Sequence, residues 1–255
     1  MSKYFTLFIL ASLLFSGGQI FAAGPGPKDL GFNNGNNSNP HNLSSLSSSN
    51  IHAAAGGEDR ICVFCHTPHG GDPQTPLWNR PDLALPDSSY PLYGGVVEIK
   101  TIGAAKYTNT DASIQYPNGA SRMCLSCHDG VTAIGEVISG EIIDSSMTMS
   151  AAGTIDLAKS HPISFVYNST VMGLINGRKT STEYQMPPIN SQAPRDSLER
   201  MQCTTCHDPH VNTRGVGYSL PFWRNYTGVE ATDYSTTCDA CHVAPPNNTG
   251  TQHNL

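Results

Sequence analysis

Cys62 and Cys65 are followed at once by His66, Cys124 and Cys127 by His128, Cys203 and Cys206 by His207, and Cys238 and Cys241 by His242. These four C-x-x-C-H runs use every cysteine of the chain. Two thiols two residues apart can add to the two vinyl groups on one edge of a porphyrin. The histidine that follows then presents its imidazole to the iron from the proximal face. The expectation is four covalently bound haem c groups, with the eight cysteines as attachment points and His66, His128, His207 and His242 as iron ligands. A zinc ribbon needs two such pairs converging on one ion and has no use for a histidine after each pair. A disulfide framework is the default for an exported cysteine-rich chain, but it gives no reason for the fixed spacing.

Six histidines remain: His41, His52, His69, His161, His210 and His253. Four irons with both axial positions filled need four of them. Two lie in an echoed segment, CHTPH (His66, His69) and CHDPH (His207, His210). A histidine three residues past a proximal ligand sits on the same side of that haem as the chain, so it reaches a neighbouring haem instead. His161, in KSHPISF, precedes a proline that favours an extended exit, which suits a ligand arriving from a loop. Either His41 (NPHNLSS) or His52 (SNIHAAAGG) is expected to supply the fourth ligand, and His253, in a frayed tail, none. Methionines, among them Met123, Met147, Met149, Met186 and Met201, are the weaker candidates while histidine is in surplus.

The elements that must position these residues are sparse. Only 13% of the chain is charged and 38% hydrophobic, and Gly, Pro, Ser, Asn and Thr abound. A side-chain core of ordinary size is hard to build from this, but four apolar macrocycles would fill an interior. The expected fold is therefore a mostly irregular, haem-cored multihaem cytochrome c, with a few short helices and minor strands wrapped around four haems. Short helices are expected to enter the motifs in GEDRICVFCH, in RDSLERMQCTTCH (with Asp196 or Ser197 as N-cap) and in YSTTCDACH. A helix is expected after the second motif, in DGVTAIGEVISGEI, and brief strands over 96–102 and 163–167. First cysteines are spaced by 62, 79 and 35 residues, so there is no fixed-length repeat.

The N-terminus has Lys3, an apolar run from Tyr4 to Phe15 and then small residues, which reads as a secretory signal peptide over 1–23. The expected mature unit is one tetrahaem domain over 24–255, with a loop-like segment at 24–58 and a tail at 244–255. The formal net charge is −6 and no basic stripe is present, so nucleic acid is not an expected partner. No later segment is apolar enough to span a membrane.

The stretches HNLS followed by ICVFCHTPH, then SHPISF and CTTCHDPH, resemble the doubled-CxxCH multihaem cytochromes c of metal-reducing bacteria. Four motifs, two with the H-x-P-H extension, look most like the tetrahaem members that polymerise into extracellular conducting filaments. The resemblance implies His41 rather than His52 as ligand. It also implies that His69 ligates a haem of the adjacent subunit in a homopolymer, with the haem of His242 as one recipient, while His161 and His210 act within their own subunit. The expected function is electron transfer through bis-histidine haems, without catalysis, since saturated irons leave no site for a substrate. Redox-partner cytochromes and extracellular acceptors are the further partners, and the expected location is the outer cell surface or the extracellular space. The alternatives are a soluble periplasmic shuttle and, behind it, a multihaem reductase.

Overall fold

The computed structural model describes residues 39–71, 77–81, 117–132, 134–135, 137–139, 155, 157, 160–177, 181–188, 193–213, 217–219 and 222–243. The expected signal peptide, the strand over 96–102, Met147, Met149, the tail and His253 lie outside them. Among the described residues no helix is long and apolar enough to cross a membrane.

Regular structure here is short: α1 (Gly119–His128), α2 (Ser169–Asn176), α3 (Cys203–Cys206), α4 (Glu230–Asp239), a 3-10 turn (Cys62–Phe64), and strands β1 (Phe165–Val166) and β2 (Arg200–Met201). The strands pair antiparallel, Phe165 opposite Met201 and Val166 opposite Arg200. Each described element either carries a C-x-x-C-H motif or braces one.

α1 and α3 pack against each other, and Gln202 is the buried peg between them. Its Oε1 accepts from Ser121 N at 3.1 Å, and its Nε2 donates to Asn118 Oδ1 and Asp196 Oδ2, each at 3.0 Å. In return Ser121 Oγ accepts from Cys203 N at 3.0 Å. Gly119 has φ +55, and a Cβ there would stand 2.8 Å from Gln202 Nε2. Glycine is required on both counts, conformation and room.

Three expectations change in the structure. RDSLERMQ forms no helix: Asp196 Oδ1 accepts from Leu198 N and Arg200 N, closing a turn that feeds β2, and only α3 is helical. After the second motif Asp129 takes the N–H groups of Val131 and Thr132 in the same way and Gly130 has φ +76, so the chain turns and among the described residues of this stretch no helix begins. Ser139 N then bonds Asn79 Oδ1 at 3.0 Å, tying this stretch to the segment after motif one. In GEDRICVFCH only the 3-10 turn forms. YSTTCDACH does lie on a helix, α4.

The apolar clusters are small. The larger gathers Leu125, Phe165, Tyr167, Val171, Ile175 and Met201 with the motif cysteine Cys241, and Met186 packs on it. The smaller joins Ala53, Phe64 and Ile134. Met186 and Met201 are thus packing residues.

The buried Asp233 anchors α4. It accepts from the Tyr218 hydroxyl and from Thr227 N (2.8 Å) and Oγ1 (2.7 Å), while Trp223 Nε1 donates to its carbonyl at 3.1 Å. Burial opposes its ionisation, but the hydrogen bonds from Tyr218 and Thr227 outweigh that and hold the carboxyl below its ordinary value. A depressed carboxyl contributes stability that is present above about pH 4 and is lost as pH falls through the lower, folded value. Asp233→Asn is therefore expected to destabilise the fold by about 2 kcal/mol at neutral pH and to flatten its acid dependence. Thermal unfolding at neutral and acid pH measures both.

Candidate metal centres

Three of the motif histidines face a histidine from elsewhere in the chain. His66 and His210 have ring centres 6.3 Å apart, His128 and His41 6.1 Å, and His242 and His161 6.4 Å. A metal–imidazole bond of about 2.0 Å plus about 1.1 Å from nitrogen to ring centre puts two imidazoles on opposite sides of one metal ion roughly 6.2 Å apart. In each pair one ring belongs to a C-x-x-C-H motif and the other does not.

The second ring nitrogens are occupied in a consistent way. Nδ1 of His41 lies 3.4 Å from the Pro209 carbonyl, Nδ1 of His161 2.8 Å from the Pro162 carbonyl, and Nδ1 of His210 2.9 Å from Asp208 Oδ1. An acceptor on Nδ1 fixes the proton there and leaves Nε2 with its lone pair for a metal. Burial, then His128, pushes His41 down to about 4, so the ring is neutral as a ligand must be. Burial also lowers His66 and His242.

His52 also bonds its neighbour's carbonyl, Ala53 O, at 2.7 Å through Nδ1, but it is His41 whose ring lies across from a motif histidine. His41 is stacked on Phe222 at 4.0 Å and 6°. His210 lies beside His66. His69 is exposed at the end of a turn pinned by Thr67 Oγ1, which donates to the His69 carbonyl at 2.8 Å. His242 already faces His161, so the expectation that His242 receives a neighbouring chain's His69 does not fit this pairing.

All eight cysteines are free thiols, and among the described residues no three His, Cys, Asp or Glu side chains converge on a point that could hold an ion. Burial pushes Cys65 and Cys206 up to about 12 and Cys241 to about 11, so these sulfurs stay protonated. The motifs neighbour one another in chain order. Cys65 feels Cys127, Cys124 is hydrogen-bonded to Cys203, and Cys206 feels Cys238 and Cys241. The donor set fits haem c: paired thiols in four motifs, and imidazoles opposed two by two at three of them.

Sequence reasoning missed the tryptophans. Trp78 pairs with His66 and Trp223 with His207 as antiparallel bridges, with rings edge-on at 5.8 Å and 5.6 Å. The backbone repeats around them. Thr67 N bonds Leu77 O and Asp208 N bonds Phe222 O; Asn79 N bonds Cys65 O and Arg224 N bonds Cys206 O. Leu77 and Phe222 both have positive φ, +69 and +58, each at a cost on the order of 1–3 kcal/mol. The internal echo is therefore longer than CxxCHxPH and includes LWNR and FWRN, the only tryptophans in the chain.

No protein-family model matches this chain. Nor does any curated protein.

Proposed function

We propose that this chain is a tetrahaem c-type cytochrome that carries electrons between haems ligated by two histidines each. The three opposed histidine pairs carry this reading. Cys62 and Cys65, Cys124 and Cys127, Cys203 and Cys206, and Cys238 and Cys241 would hold the porphyrins, with His66, His128, His207 and His242 as proximal ligands. His210, His41 and His161 would ligate from the other side, opposite His66, His128 and His242. The bound haems would supply reversible one-electron chemistry. At the three paired centres both axial places would be taken, which would exclude substrate from those metals and argues against a reductase there. The chain-order adjacency of the motifs would hold neighbouring macrocycles near one another along a single path.

In the filament form that we favour, the exported chain polymerises outside the cell and passes electrons to partner cytochromes and extracellular acceptors. The exposed, turn-anchored His69 is the ligand offered to an adjacent subunit. Mass spectrometry is expected to count four haems, and the oxidised spectrum to be wholly low-spin. Electron microscopy and sedimentation of native material are expected to show fibres, and His69→Ala to release monomers. A native monomer would instead leave the soluble shuttle, and rapid nitrite binding to the untouched protein the reductase.

A further inference from the structure

The two echoed segments differ at one residue whose chemistry is unlike. Thr67 of CHTPH donates its hydroxyl to the His69 carbonyl at 2.8 Å. Asp208 of CHDPH does the reverse: its Oδ1 accepts from His210 N at 3.0 Å and from the His210 ring Nδ1 at 2.9 Å. We propose that Asp208 is a tuning residue that makes the iron between His66 and His210 harder to reduce than it would be with a neutral acceptor on His210. The inference rests on the bis-histidine reading above.

The argument is one of ligand basicity. A carboxylate that accepts the Nδ1 proton pushes electron density toward Nε2, and a more basic ligand favours the ferric state. His41 and His161 meet only carbonyl dipoles, of Pro209 and Pro162. Only His210 meets a full negative charge among these three. That charge is partly screened from solvent: the Asp208 side chain is 22% exposed. An aspartate carboxyl is ionised at neutral pH by its ordinary value alone. Arg224 lies close enough to feel Asp208 but is committed to carbonyls, Nε to Thr204 O at 2.7 Å and Nη2 to His207 O at 3.4 Å. The same oxygen closes the turn that aims the ring, so position and electronic push come from one atom.

Asp208→Asn keeps an oxygen for both hydrogen bonds and removes the charge. Asp208→Thr copies the residue that the chain itself uses at the equivalent place in CHTPH. Both variants should be purified with haem attached and titrated potentiometrically while electron paramagnetic resonance follows the low-spin signals. The expected result is that one redox step moves to higher potential, that the g-values of one low-spin centre change with it, and that the other three steps stay put. Four unchanged potentials and unchanged g-values would overturn the proposal, with the bis-histidine reading intact. High-spin iron in both variants would overturn it too, since Asp208 would then hold the ligand in place without tuning it. High-spin iron in the untouched protein would strike the ligation reading itself.

Discussion

His41→Ala, His161→Ala and His210→Ala are each expected to convert one low-spin iron to a high-spin, five-coordinate one, about a quarter of the total. Each distal ring faces a different motif histidine across 6.1–6.4 Å, so the losses should add, and any two together should convert about half. The vacated position should bind carbon monoxide, which the untouched protein should not. His52→Ala serves as the control, because it is His41, not His52, whose ring lies across from a motif histidine. If spectra of the three variants stay wholly low-spin, those ring pairs are not ligand pairs. The His210 variant carries an additional point. The lost ligand should be that of the His66 haem, which resonance assignments of the two motifs can separate.

Replacing Cys124 and Cys127 together by serine should remove one haem of four, cutting Soret absorbance by about a quarter and taking one haem from the intact mass. The structural effect should be larger than the spectral one. α1 carries this motif, supplies Leu125 to the main apolar cluster and packs on α3. That cluster is small, so the loss of a large apolar disc beside it should expose both helices to proteolysis far from the substituted residues. A variant that still carries four haem masses, or a wild type that carries zinc, would end the attachment reading.

The sequence revealed residues and hid their partners. Cysteine spacing names the proposed attachment points because covalent attachment would need that spacing locally. The pairing of His41 with His128, or of His161 with His242, depends on contacts between segments far apart in the chain, and no local pattern encodes it. The helix expected at RDSLERMQ failed because Asp196 took the backbone donors into a turn. A side chain that competes for its own backbone is invisible to hydrophobic periodicity. Asp233 and Gln202 were equally hidden: each is a buried polar residue whose partners come from other elements. The tryptophans were legible and passed over, since LWNR and FWRN follow the two echoed motifs and nothing else in the chain looks like them.

The contact between Cys124 and Cys203 bears on how such a molecule is made. Sulfurs within hydrogen-bonding reach, on two different helices, form a cross-link readily once an oxidant is present. On the proposed haem reading, each sulfur would have to be capped by its tetrapyrrole before the two helices dock. A chain that closed first would be held shut by that cross-link, so timing would matter to such an architecture as much as its residues do.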